Sequence, residues 1–325
     1  MHTSRECLGT ARQQGGEGHW RGDGGPRILN TRRLNRHLPW DCGGAPKFPA
    51  IARYNPGPVS IRLHTMAYRN LIIEDRGAVR SITIHRPDKL NALNRETIGE
   101  LDLAFAQAAA EDGVRVVVLA GAGDKAFVAG ADIAELAGCT PLQARDFSRH
   151  GQRMMRRVET LGKPVIARIQ GFALGGGLEL AMACHLRIAG RRAKVGQPEI
   201  NLGVLPGFGG TQRLLRLTGR AAALELCLLG QAIDAERAHQ LGILNRVVDD
   251  AALDAEVAAI ADQLAASAPQ ALRGILEAIT IGSEAALDVA LDYETQAFAV
   301  CASSEDMREG TAAFLEKRRP TFMGR

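Results

Sequence analysis

An α/β architecture built in layers is what this chain predicts, on three observations. From Met66 onward, short runs rich in β-branched residues alternate with stretches of helical apolar period. The connections between them are short and carry glycine. The last third, from Ala251, reads almost entirely as helix.

Residues 68–73 and 79–84 read as two strands joined by a turn at Arg76-Gly77. Ile98, Leu101, Phe105 and Ala108 mark the inner face of a helix that must end before Gly113. The runs at 114–120 (VRVVVLA) and 164–169 (PVIARI) are apolar throughout, as strands buried on both faces are. Asp234 is a suitable N-cap and Gly242 a C′ residue for a helix over 235–241. No repeat of fixed period and no linker follows Met66, so residues 66–325 are expected to form one domain.

Residues 1–65 differ in kind. They hold 10 of the 36 glycines, 6 of the 13 prolines and both tryptophans, and no period survives more than a few residues. Such a segment buries too little to offset its ordering entropy, and it is expected to be mostly disordered. A start assigned too far upstream, with Met66 the true start, is the leading explanation; a functional basic tail and a transit peptide are the alternatives.

Charge follows the same division. The chain's formal +4 comes from the first 65 residues, which carry 10 Lys and Arg against 4 acids. The remainder carries 30 basic and 32 acidic residues, so its body offers no basic footprint for nucleic acid. Six widely spaced cysteines form no CxxC pair, and no histidine stands at zinc-ligand spacing, which argues for reduced thiols and against a metal site. No apolar run approaches the roughly 18 residues of a membrane span. A soluble cytoplasmic protein is expected.

The chemistry concentrates in Ala173-Leu174-Gly175-Gly176-Gly177-Leu178-Glu179-Leu180 and, twenty residues on, Gly196-Gln197-Pro198-Glu199. Three glycines opening an apolar helix bare N–H groups at its positive end, where an oxygen gaining negative charge can be held. Two glutamates beside such a site supply an acid and a base for moving a proton next to a carbonyl. In the first turn, Glu179 is expected to be held ionised by the helix dipole. Partial burial in apolar surroundings is expected to raise the Glu199 pKa. Either residue could instead be structural, one complementing a helix end, the other solvated in a loop.

A second small-residue turn, Ala129-Gly130-Ala131-Asp132-Ile133, could likewise bring main chain against a ligand, or could be a plain strand-to-helix turn. Gly121-Ala122-Gly123-Asp124-Lys125-Ala126 fits the G-x-G-x-x-A dinucleotide pattern, but the helix that should begin inside it is delayed. It is read as a tight turn. The eight histidines form no HExxH and no GxSxG is present, which disfavours zinc and serine hydrolases.

Residues 170–181, 196–200 and Pro206-Gly207-Phe208-Gly209-Gly210-Thr211-Gln212-Arg213-Leu214, with 86–93 and 308–318, closely resemble the enoyl-CoA hydratase/isomerase family, also called crotonases. The likeness runs from about Tyr68 to the C-terminus. It implies a crotonase-like spiral of ββα units with a helical C-terminal trimerisation region, assembled as a homotrimer or a dimer of trimers. By position, Ala131 and Gly176 would donate the two N–H groups to the thioester oxygen; one such donor is worth on the order of 3 kcal/mol in the transition state. Glutamate at both carboxylate positions is the hydratase pattern, in which Glu179 and Glu199 hold one water and share one proton near neutral pH.

The resemblance further implies CoA contacts from Lys89, Asn91, Ala92 and Leu93, from Gly130, Asp132 and Ile133, and from Phe298 and Lys317 reaching a neighbouring subunit's CoA. Ala134 stands where some members place a lysine near the CoA phosphates. The substrate is an acyl-CoA thioester, and no separate cofactor is implied. A 3-enoyl-CoA isomerase of the same family is the nearest alternative, and a CoA- or RNA-binding protein on this fold is the more distant one. Acyl selection is expected to involve residues 138–155.

Overall fold

The computed structural model describes residues 68–325. The expectations for residues 1–65, and for a start at Met66, lie outside the described residues. Strands β1 (Leu71–Arg76) and β2 (Val79–Ile84) form a hairpin, with Leu71 opposite Ile84 and Arg76 opposite Val79; the first strand starts and ends three residues later than the sequence reading placed it. Helix α1 (Arg95–Ala110) follows, and the Asn94 side chain caps it by accepting from Thr97 N. Its predicted inner face, Ile98, Leu101, Phe105 and Ala108, is completely buried.

Three units of one design come next, each a strand of a large sheet, a strand of a small sheet and a helix. The first is β3 (Val116–Gly121), β4 (Ala126–Val128) and, after the short α2 (Ile133–Ala137), the long α3 (Pro141–Glu159). The second is β5 (Val165–Ile169), β6 (Phe172–Leu174) and α4 (Gly176–Ala183). The third is β7 (Leu186–Gly190), β8 (Lys194–Gly196), a 3-10 turn at Pro198–Leu202 and α5 (Gly210–Leu229). Then come β9 (Ile233–Asp234), α6 (Ala235–Gln240), capped by Asp234 as predicted, and β10 (Arg246–Val248).

The large sheet has the order β1-β2-β3-β5-β7-β10, parallel beyond the β1–β2 hairpin; the small one runs β4-β6-β8-β9. This is the ββα spiral. The run Val116-Val117-Val118-Leu119 is apolar at every position because the sheet is covered on both faces. Val117 and Leu119 join the main core with Ile82, Phe105 and Ile169. Val116 and Val118 meet Val257 and Ile260 of α7 (Leu253–Ala265) on the other side. Each such side chain contributes about 1.5–3 kcal/mol on burial, so a polar residue at either parity would be costly.

The glycine turn at 121–126 joins β3 to β4, and no helix starts there. The chain closes with α8 (Pro269–Gly282), α9 (Leu287–Ser303) and α10 (Glu305–Leu315). These last helices leave much of their apolar surface uncovered. Neither α8 nor α9 has a fully buried residue, while Ile279, Leu287, Val289, Phe298, Phe314 and Leu315 are all more than half exposed.

Candidate active site

Each of the three glycines that open α4 makes room for a different neighbour. Gly175 sits at φ +52°, and a Cβ there would lie 2.8 Å from Glu199 Oε1. A Cβ on Gly176 would come within 3.4 Å of Ala131 N and 3.2 Å of the Phe208 ring, and one on Gly177 within 1.9 Å of the Val128 carbonyl. The triple glycine is therefore the place where α4, β4, the 129–132 turn and Glu199 converge.

The 129–132 turn is fixed by main-chain pairing with the preceding turn: Leu93 N donates to Gly130 O, Asp132 N to Leu93 O and Ala129 N to Leu90 O. This ladder skips Ala131 N. Among the described residues, no protein acceptor takes the N–H of Ala131 or of Gly176. Two adjacent, unengaged donors thus face a cavity of about 470 Å³, lined also by Glu179, Glu199, Leu136, Phe147, Leu205 and Phe208.

Glu179, in the first turn of α4, is buried to 1% exposure. Its Oε1 accepts from Phe208 N at 2.8 Å and Gly210 N at 2.6 Å, which leaves Oε2 for the cavity. The pull of the helix dipole toward the ionised form is opposed here. Burial, and then the charge of Glu199, push its carboxyl up to about 8, against the pull of the Gly210 and Phe208 N–H groups and of Arg213. A helix N-terminus is worth about 0.3–1 kcal/mol to a carboxylate. A rise from 4.5 to about 8 corresponds to a bias on the order of 5 kcal/mol, so burial wins.

Glu199 rides on the 3-10 turn and is half-buried. Desolvation raises it to about 7, in the direction read from its apolar neighbours. The completely buried Gln197 donates its amide nitrogen to both Glu199 oxygens at 3.0 Å, in the amide orientation that satisfies the side chain. Two carboxyls with raised proton affinity therefore meet at one apolar cavity.

Of the residues singled out in the sequence, Glu179, Glu199, Ala131, Gly176, Gly130 and Ile133 line this cavity together. Lys89 and Ala92 lie on the adjoining turn, Lys89 exposed. The side chains of three neighbours are engaged or buried within the protein. Asn91 turns its side chain inward to donate to the carbonyls of Ala122 and Ala126, Leu93 is buried, and Asp132 pairs with Arg86 at 3.0 Å. Phe298 on α9 and Lys317 after α10 are exposed and do not line this cavity.

Within the 138–155 segment, Ala144, Phe147 and Ser148 of α3 form one wall, and the Phe147 and Phe208 rings meet edge to face, 5.2 Å between centroids. Sequence reasoning assigned no role to Phe208, Gly210 or Gln197. The available signal was the glycine-rich stretch before Arg213, where bare main chain could serve as donor. His185 is engaged with main chain, accepting from Val165 N and reaching Glu159 O.

Comparison with known proteins gives a consistent picture. The family profile described as enoyl-CoA hydratase/isomerase matches residues 74–325. The short-chain-enoyl-CoA hydratase of Clostridium acetobutylicum is 44% identical over 254 residues, 78% of this chain and 97% of that one. The crotonyl-CoA hydratase of Syntrophomonas wolfei is 42% identical over 260 residues, 80% of this chain and all of the relative. A crystal structure of enoyl-CoA hydratase from Bacillus anthracis superposes with a TM-score of 0.77 at 40% identity, covering 79% of this chain and 100% of that one.

Proposed function

Because this chain belongs to the enoyl-CoA hydratase/isomerase family, we propose that it is a hydro-lyase adding water reversibly and syn to a trans-2-enoyl-CoA, giving a 3-hydroxyacyl-CoA. The observation that carries this reading is the meeting of two glutamates of raised proton affinity with two unengaged N–H donors at one apolar cavity. The N–H groups of Ala131 and Gly176 would hold the thioester oxygen and take up its charge as the enolate forms. One water would sit between Glu179 and Glu199. As its oxygen adds to the β-carbon, Glu179 takes a proton from it, while Glu199 delivers one to the α-carbon. The pair enters the step with one shared proton and ends it with one, so the reverse reaction uses the same groups.

The apolar lining supports an acyl chain in the cavity, and we assign the 89–93 turn, through its main chain and Lys89, to the nucleotide end of CoA. No other cofactor is called upon: these steps need only side chains, main chain and water. The exposed apolar residues of α8, α9 and α10 support burial against further copies, as a homotrimer or dimer of trimers in which Phe298 and Lys317 serve a neighbour's CoA. The described cysteines are free thiols and no described helix is long and apolar enough to cross a membrane, which supports a place in the cytoplasm.

The test is the loss of conjugated enoyl-thioester absorbance when the purified protein meets crotonyl-CoA and longer enoyl-CoAs. Rapid hydration is expected. A folded protein inactive on all of them would overturn the hydratase reading in favour of 3-enoyl-CoA isomerisation.

A further inference from the structure

We infer that Arg213, anchored by Glu159, is a positioning residue for Glu179, acting through the main chain of residues 208–210; the inference rests on the hydratase reading above. The Arg213 guanidinium spends all three of its nitrogens. Nε and Nη2 donate to the two carboxylate oxygens of Glu159 at 2.6 and 3.1 Å, and Nη1 donates to the Phe208 carbonyl at 2.7 Å. Phe208 then presents its own N–H to Glu179 Oε1. The cation and the reacting carboxyl thus grip opposite ends of a single residue.

The two glycines that follow are required by those two side chains. Gly209 lies at φ +103°, and a Cβ on it would fall 2.5 Å from Arg213 Nη1; a Cβ on Gly210 would fall 2.8 Å from Glu179 Cγ. The anchor is itself held. Glu159 ends α3, is also paired with Arg156 at 3.3 Å, and its carbonyl is bound by the ring of His185, just before β7. Arg213 and Glu159 are largely enclosed, with side chains 14% and 21% exposed, so water competes poorly for the pair. A lysine could make one of these contacts with direction, not all three.

Charged and titratable groups reach Glu179 from two packed elements: Glu199 from the 3-10 turn, and Arg213 and Cys227 from α5. Glu199 favours the protonated form. The N–H pair and Arg213 favour the ionised form, so releasing the 208–210 main chain raises the proton affinity of Glu179.

The experiment compares Arg213→Met, Arg213→Lys and Glu159→Gln with the parent protein, measuring crotonyl-CoA hydration across pH alongside thermal unfolding. For Arg213→Met we expect kcat to fall by about 10²-fold with KM changed by less than about 3-fold, because a small displacement of a reacting group is that costly. The pH profile should move upward, Arg213→Lys should recover part of kcat, and Glu159→Gln should shift kcat and profile in the same direction by less. Infrared titration of the Glu179 carboxyl, assigned by its loss in Glu179→Gln, reads the same displacement without turnover. It decides for or against the positioning role even if the parent hydrates nothing, a result that would sink the hydratase reading alone. If Arg213→Met does not fold, the other two variants decide. Lower activity with an unmoved profile and an unmoved carboxyl titration, or unchanged kcat, would overturn the inference.

Discussion

Glu179 and Glu199 reach one cavity from regions of opposite character. Helix α4 is buried along its whole length, and Glu179 on it is clamped by two main-chain donors from a segment thirty residues away. The 3-10 turn that carries Glu199 is partly exposed at its surface, with Ile200 and Leu202 open, and its carboxylate leans on one buried amide, Gln197. Both carboxyls nonetheless have raised proton affinity, so the pair holds one shared proton near neutral pH. The same chemical outcome is reached once by complete enclosure and once by partial desolvation, which leaves one rigid and one adaptable member of the pair.

The comparison is tested most severely by removing each charge in turn. Glu179→Gln and Glu199→Gln should each lower kcat by about 10²- to 10⁴-fold, and the double variant should be little worse than the poorer single one, since both act on one water. Steady-state hydration of crotonyl-CoA measures this. Collapse in one variant alone would break the equivalence and point to a single-carboxylate proton shuttle.

The rigid member should be the less forgiving of crowding. Gly210→Ala places a methyl 2.9 Å from Glu179 Oε1 and 2.8 Å from its Cγ, with no exposed side to retreat to. We expect about a 10²-fold loss of kcat with a modest change in KM; a change below threefold would show that the clamp is looser than its geometry.

Stability should register the difference as well. The folded chain binds the Glu179 proton more tightly than the unfolded chain, so this group's contribution is complete below about pH 4.5 and is lost as pH rises through about 8. Glu179→Gln keeps an acceptor for both N–H groups with no charge to desolvate. Its Tm should exceed the parent's at pH 9 by on the order of 10 °C, and calorimetry should find the gap closed near pH 4. A gap independent of pH would remove burial as the cause.

The smallest effect belongs to an acid with neither enclosure nor chemistry. Glu284, held low by its pairing with Arg216 on the surface, should tolerate Glu284→Gln with a Tm change under about 2 °C and unaltered hydration.

Much of this was legible in the chain. The strands at 79–84 and 165–169, the inner face of α1 and the cap at Asp234 follow from periods and caps that are properties of a few consecutive residues. The triple glycine and both glutamates stood out for the same reason. What sequence alone missed was the strength of desolvation at Glu179. Helix position favours ionisation, and burial opposes it because α4 is enclosed by β4, α3 and α5, none of which is its neighbour in sequence. Likewise the ring of Phe208, the N–H of Gly210 and the grip of Arg213 on Glu159, 54 residues apart, gain meaning only when α3 and α5 are packed together. By itself, then, the sequence determined the order of strands and helices and which carboxyls and small residues were available, since backbone sterics and side-chain period act locally. Only the tertiary structure decided which of them meet, which N–H groups stay unengaged and how far the carboxyls' proton affinity rises, because desolvation and hydrogen-bond partners come from segments distant along the chain.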